Sequence, residues 1–215
     1  MDIHLILEYL PLYLKGAWIT VYLTIISLSW GIVIGLILVM FKMSKSRVLS
    51  LFASVYISVI RGTPLLLQII FVFYALPSFG IVLSARISGI IALSLNLAAY
   101  LEETFRTGIF AVPKEQIEMA HVLGYRKWQV GVYIIFPQAI RVILPQLGNS
   151  SIAMLKDTSM VSVITITELM RTAQVVYAVN FKPFESYLLA ALIYYAMSAI
   201  IEKLFKKFEK QMNYY

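Results

Sequence analysis

Eleven consecutive residues, Asn96 to Arg106, place an amide, a phenol, two adjacent carboxylates and a guanidinium inside a run that is otherwise apolar. At the centre of a bilayer each carboxylate costs roughly 2.5–3.5 kcal/mol on insertion scales, so Glu102 and Glu103 require a partner or a water-filled cavity. Helical spacing puts Asn96, Tyr100, Glu103 and Thr107 on one stripe, with Glu102 turned about 100° away toward Ala98, Ala99 and Arg106. Two uses are open. Either carboxylate can pair locally with Arg106, three or four residues on, or it can receive a ligand; one arginine does not fully compensate two acids.

A second group, Lys156-Asp157-Thr158, follows a long apolar run. An amino-acid zwitterion needs an anion for its ammonium and a cation or N–H donors for its carboxylate. Asp157 and Lys156 supply one of each and Thr158 adds a hydroxyl; an internal Lys156–Asp157 pair holding a bent helix is the alternative. Tyr100 suits packing or ligand contact, and its hydroxyl needs a partner if buried. Other chemistries are excluded or disfavoured. The chain has no cysteine and two histidines, so thiolate chemistry is absent and a zinc site improbable. It has no Gly-x-x-x-x-Gly-Lys loop to cradle a nucleotide.

The elements that position these groups are membrane spans. The 215 residues are 60% hydrophobic and 13% charged, a composition of integral membrane proteins. The net charge of +7 does not point to nucleic acid, because the basic residues cluster in short loops beside apolar runs. Ile3 to Leu14, broken by Pro11, reads as a retained interfacial helix. Five spans are predicted at about 16–41, 48–76, 86–108, 131–155 and 185–201, within a single domain covering 1–215. Gly31 and Gly35, four apart, suit the close approach of another helix. Arg61-Gly62-Thr63-Pro64 interrupts the second span, Pro137 and Pro145 bend the fourth, and an external segment of short apolar pieces begins at Lys156.

Between the third and fourth spans lies a polar island, Pro113 to Pro137. Pro113 suits the first position of a helix and Gly124 a left-handed stop, which predicts a short helix over 113–124, roughly half a bilayer in length. Ile117, Ala120 and Leu123 would form its small apolar face. His121 there reads as a surface residue at a subunit contact.

Glu118-Met119-Ala120, then Gly124, then Ile134-Ile135-Phe136-Pro137 resembles the cytoplasmic signature of ABC importer permeases: Glu-Ala-Ala, three residues, Gly, nine residues, Ile-x-Leu-Pro. Met119 and Phe136 are apolar departures from it. Asn96, Ala99, Tyr100, Glu103 and Arg106 are similar to the Asn-x-x-Ala-Tyr-x-x-Glu-x-x-Arg pattern of the polar amino-acid permeases, and the Arg-Gly-Thr-Pro and Lys-Asp-Thr elements look like theirs too. Many relatives carry a small residue where Glu102 stands, so the extra charge here favours a cationic ligand. The resemblance implies an all-α type I importer permease in a bacterial inner or plasma membrane, for polar amino acids and here basic ones such as arginine, lysine and histidine. Substrate would meet Asn96, Tyr100, Glu102, Glu103, Lys156, Asp157 and Thr158. Glu115, Glu118, Met119, Ala120, His121, Leu123 and Gly124 would form a coupling helix docking one of two separate ATPase subunits. ATP and magnesium would sit on those subunits, with no cofactor and no enzymatic activity in this chain. The implied partners are membrane lipid, a second permease subunit and an extracellular or periplasmic amino-acid-binding protein. A proton-coupled secondary carrier using Glu102 and Glu103 is the competing class; it predicts repeats that the sequence lacks.

Orientation follows from charge. Lys42, Lys45, Arg47, Arg106, Lys114, Arg126, Lys127, Lys203, Lys206, Lys207 and Lys210 fall on one side, against Lys15, Arg86, Arg171 and Lys182 on the other. The positive-inside rule then predicts an external N-terminus and an internal C-terminus. A cysteine introduced at Ser78 should react with an impermeant thiol reagent outside intact cells and one at Lys114 should not; the reverse pattern would overturn this topology.

Overall fold

A computed structural model describes residues 3–213, and side chains for 8–212; the outermost residues of the 1–215 domain lie outside that range. Among the described residues the architecture is wholly helical. Helix α1 spans Ile3–Lys42, α2 Arg47–Arg61, α3 Leu65–Ile70 and α4 Ala85–Phe110. The island forms α5, Lys114–Val122, and α6, Lys127–Val130. Helix α7 covers Phe136–Asp157, α8 Leu169–Asn180 and α9 Pro183–Asn213.

Helix α4 is the axis of the bundle. It packs along α1 on one side and α7 on the other, while α8 and α9 close the second flank of α1 and α7. Leu93, Leu97, Leu101 and Phe105 carry the α4 contribution to the main core, which also takes in Leu23, Val39, Ile143 and Met154. The close approach of α1 depends on its glycines. A Cβ on Gly31 would lie 2.7 Å from a Leu97 methyl, and one on Gly35 3.1 Å from both Leu101 Cβ and a Phe105 ring carbon. Small residues thus admit the neighbouring helix, as their spacing predicts.

Several boundaries differ from the sequence expectation. Residues 3–14 are not a separate interfacial helix: α1 runs through Pro11 without a break. Tertiary contact offsets the lost backbone bond, since the buried Tyr13 donates a 2.8 Å hydrogen bond to the Ser186 carbonyl and packs with Leu169, Ala173 and Val176. Lys156-Asp157-Thr158 does not open a loop. It ends α7 and passes directly into a tighter 3₁₀ turn, Thr158–Ile164, giving one helical run from Lys127 to Ile164. The segment after it is also more ordered than short apolar pieces suggest, because α8 forms there and continues into α9 after a short turn.

Length and apolarity mark three helices as able to cross a membrane, Glu8–Lys42, Lys127–Ile164 and Pro183–Met212. A fourth candidate is the bent pair Arg47–Arg61 and Leu65–Phe79, whose halves meet at 104°. Helix α4, predicted as the third span, has 26 residues, about 39 Å and long enough to cross. It is too polar to stand among the others by composition. Enclosure by α1 and α7 explains how it sits in the bundle, since its surface is presented largely to protein.

Candidate functional site

The interruption at 62–64 is where the site begins. Pro64 has no N–H and Gly62 ends α2, so carbonyls near the break lose their helical partners. Gln68 repairs this from the next helix. Its Nε2 is shared among the Ile60 carbonyl (2.8 Å), the Thr63 carbonyl (3.1 Å) and Thr63 Oγ1 (2.9 Å). Its Oε1 accepts from Asn96 Nδ2 at 3.0 Å, tying the break to α4. The Thr63 hydroxyl in turn donates to the Val59 carbonyl. A bend of 104° is thereby held rigidly, and it aims Arg61 across at α4.

Arg61 pairs with Glu103 in a short contact and its guanidinium lies over the Tyr100 ring, 5.3 Å from the centroid. Such stacking is worth about 0.5–1 kcal/mol at an exposed site. Two open spaces meet here. A cavity of about 670 Å³ is lined by Arg61, Thr63, Asn96, Tyr100, Asn149, Ser150 and Asp157 among others. A second, of about 400 Å³, is lined by Tyr100, Glu103, Thr104, Thr107, Gln146 and Ser150 with Val142. Tyr100 and Ser150 belong to both. The stripe predicted on α4, Asn96, Tyr100, Glu103 and Thr107, therefore does face open space.

Glu102 does not. It is 2% exposed, turned into the bundle, with Oε1 3.3 Å from Arg106 Nε. The two atoms are close enough for an ion pair but are not aligned as a hydrogen bond. The local pairing with Arg106 thus falls to Glu102, and Glu103 is released to face the cavity and meet Arg61. The physical reason is helical phase: the stripe toward open space passes through 103, and 102 lands on the packed side. An argument for cationic substrates resting on Glu102 loses its footing. Lys156 and Thr158 are likewise outside the cavity lining. Lys156 points to the exterior, and the fully buried Thr158 spends its hydroxyl on the Leu155 carbonyl at 2.7 Å. Of that triplet only Asp157 lines the cavity.

Sequence reasoning did not single out Arg61, Asn149 and Ser150 as site residues. For Arg61 the signal was present, since a guanidinium at membrane depth beside a helix break needs a compensating charge. Glu168 was also passed over. It is fully buried, caps α8 by accepting from Met170 N and Arg171 N, both at 2.7 Å, and accepts from the Tyr194 hydroxyl at 2.9 Å. This carboxylate is satisfied by donors, with a structural role joining α8 to α9.

The polar island forms a second surface. Pro113 sits one place before α5, at its N-cap, and not at the first helical position. Gly124 has φ +86°, with Gly124 N donating to His121 O and Tyr125 N to Ala120 O, both at 3.0 Å. Those two bonds make the left-handed stop predicted from its glycine. The expected apolar face is only partly inward. Ala120 is buried and Ile117 half-buried, but Leu123 is 72% exposed beside Met119 and Val122, at 65% and 87%. Glu115, Glu118 and His121 are exposed, the imidazole Nδ1 lying 3.3 Å from the Tyr125 carbonyl. Gln138 donates to Gln116 Oε1 at 2.8 Å and so fastens α5 to the base of α7.

An all-helical membrane bundle with a polar cavity at a broken helix and an apolar patch displayed on a short polar-loop helix is the construction of an importer's membrane subunit. Comparison with known proteins agrees in detail. Residues 31–214 match the family of binding-protein-dependent transport system inner membrane components, and the chain belongs to that family. It is 38% identical over 206 residues to an L-cystine transport system permease protein of Bacillus subtilis, covering 95% of this chain and 88% of that one. It is 39% identical over 199 residues to a putative glutamine transport system permease protein of Rickettsia conorii, covering 92% and 91%. A crystal structure of an amino acid ABC transporter with histidines superposes with TM-score 0.92 at 40% identity, covering 98% of this chain and 99% of that one.

The protein is therefore the permease subunit of an amino-acid ABC importer, with the type I importer permease fold, in a bacterial inner membrane. It is not itself an enzyme, and permeases of this kind act with ATPase and permease partner subunits. Nothing supports the proton-coupled carrier.

The burial of Glu102 generates a prediction. Glu102→Gln leaves the Arg106 guanidinium without its counter-charge on the packed side of α4, so stability should fall by about 1–3 kcal/mol. Thermal unfolding of the purified permease measures this, while the ratio of arginine to glutamine uptake should stay as in the wild type. A changed ratio at unchanged stability would return Glu102 to the substrate.

Proposed function

We propose that the substrate is a basic amino acid, held with its α-carboxylate toward Arg61, its α-ammonium toward Asp157 and its side-chain cation toward Glu103. The charge count of the two adjoining cavities supports this reading. Arg61 contributes +1, and Glu103 and Asp157 each −1, so one negative charge stands uncompensated among the described residues facing the space. A neutral zwitterion leaves that imbalance; a basic amino acid carries the matching positive charge, and pairing is what makes a desolvated carboxylate tolerable. The description of the 40%-identical transporter with histidines is consistent with this. The names of the cystine and glutamine relatives favour a neutral polar substrate instead, which is the second reading.

In the wider assembly the whole chain, 1–215, acts as one transmembrane domain with five spans, an external N-terminus and an internal C-terminus. The broken pair and α4 supply the two spans that composition alone marks least clearly. The Glu118–Pro137 signature supports reading α5 as the coupling helix. Met119 and Leu123 would enter an ATPase groove, Glu115, Glu118 and His121 would border it, and Ala120 and Gly124 would fix the shape of the turn. ATP and magnesium belong to two ATPase subunits, and substrate is delivered by an extracellular or periplasmic binding protein to a pair of permeases.

Uptake into reconstituted vesicles tests the substrate. Arginine should be favoured over citrulline, which has nearly the same shape without the charge, by about ten- to a hundredfold. Asp157→Asn should weaken both by a similar factor, because every amino acid carries the ammonium. Equal handling of arginine and citrulline by the wild type would leave the neutral-substrate reading standing. Coupling is tested at Gly124. Gly124→Val forces a β-branched residue into φ +86° and should strain the turn by a kcal/mol or more. ATPase association or substrate-dependent hydrolysis should fall while membrane insertion persists; normal hydrolysis coupling would remove the assignment.

A further inference from the structure

We infer that the Arg61–Glu103 pair is a two-key latch between the cavities, opened only by a molecule that presents a carboxylate to Arg61 and a cation to Glu103 together. This rests on the proposed substrate for the identity of the ligand, but the latch itself rests on geometry. Arg61 lines the larger space and Glu103 the smaller, and their ion pair runs from the end of α2 to the middle of α4 across the boundary. Tyr100 and Ser150 form that boundary, and the guanidinium rests on the Tyr100 ring. The barrier is therefore built from the charges that would bind the ligand. Each is the other's counter-charge across that boundary, at 40% and 47% exposure.

Separating the pair leaves a guanidinium and a carboxylate each without its counter-charge, and a ligand with one complementary group restores only one of them. A basic amino acid replaces both partners at once. Its carboxylate takes the guanidinium in the fork geometry that arginine favours, and its side-chain cation takes Glu103. Arg61, freed from Glu103, also leaves the Tyr100 ring, so the two spaces become continuous along the stripe toward Thr107. Selection is then a property of the latch: a neutral amino acid is disfavoured because Glu103 would be stranded, and a cation without a carboxylate because Arg61 would be.

Ligand binding to the complete permease–ATPase complex in nanodiscs, without binding protein, tests this with arginine, citrulline and agmatine. Agmatine is the decarboxylated cation. The wild type should bind arginine at least tenfold more tightly than either analogue. Glu103→Gln releases Arg61 from its counter-charge, so arginine should weaken by about tenfold while citrulline tightens by a similar factor. Arg61→Gln should do the converse, weakening arginine and tightening agmatine. These opposed changes are what a latch requires. Citrulline unchanged in Glu103→Gln, with arginine weakened, would make Glu103 a simple ligand and overturn the latch; loss of all ligands in both variants would make the pair structural and overturn it equally. A wild type that fails to bind arginine would dismiss the basic substrate, while tighter binding of citrulline in Glu103→Gln would still support the latch.

Discussion

The cost of charge inside a lipid-embedded bundle governs this structure more than any other constraint. Helix α4 carries Asn96, Glu102, Glu103 and Arg106 through the middle of the molecule, and none of these belongs against lipid. Each is resolved in its own way. Glu102 takes Arg106, Glu103 takes Arg61 from another helix, and Asn96 takes Gln68. The wrapping of α1 and α7 around α4 follows, because a helix with this content needs protein neighbours on both flanks, and the glycines of α1 supply the space for one of them. Glu168 meets the same constraint with two backbone amides and the Tyr194 hydroxyl, and with no cation among the described residues.

Breaks in the helices are the second device, and they serve the first. Pro64 removes a donor at the point where α2 must turn away, and Gln68 supplies replacement bonds to the carbonyls left behind. The turn makes Arg61 terminal, and a terminal arginine can reach sideways where a mid-helix one is confined to its own turns. A gentler irregularity lies below Pro137. Residues Gly131–Ile135 wind more loosely, with each hydrogen bond spanning one extra residue, and Phe136 N donates back to Gly131 O. Such bulges absorb a residue near a proline without stopping the helix. One break opens a cavity, and the other joins the polar island to α7.

Fold and substrate are thus separable in this family. Relatives named for cystine and for glutamine each share well over a third of the sequence with this chain. On the proposed reading, what distinguishes one amino acid from another lies among the few side chains facing the cavities, and here those carry three ions, Arg61, Glu103 and Asp157. Among the described residues Asp157 is the one of the three without an ion-pair partner, and the continuation of α7 past Lys156 into the 3₁₀ turn sets its position.

Much of this was written in local patterns. Apolar runs long enough to cross a bilayer, the break at Arg61-Gly62-Thr63-Pro64, the stripe from Asn96 to Thr107 and the left-handed stop at Gly124 each depend on neighbours within a few turns, where the period of a helix and the conformational limits of proline and glycine suffice. Decisions between distant residues were not legible. Residues 3–14 look like a separate helix until Tyr13 finds Ser186, and Leu123 looks inward until α5 is docked with that side open. The choice between the two adjacent carboxylates shows the limit most clearly. Both lie within reach of Arg106 by spacing, and it is the packing around α4 that turns the 103 stripe to open space, where Arg61 from forty-two residues earlier meets Glu103, and leaves Glu102 to the core. A salt bridge is a relation in space; the sequence named the candidates, and the packing of α2 against α4 chose between them.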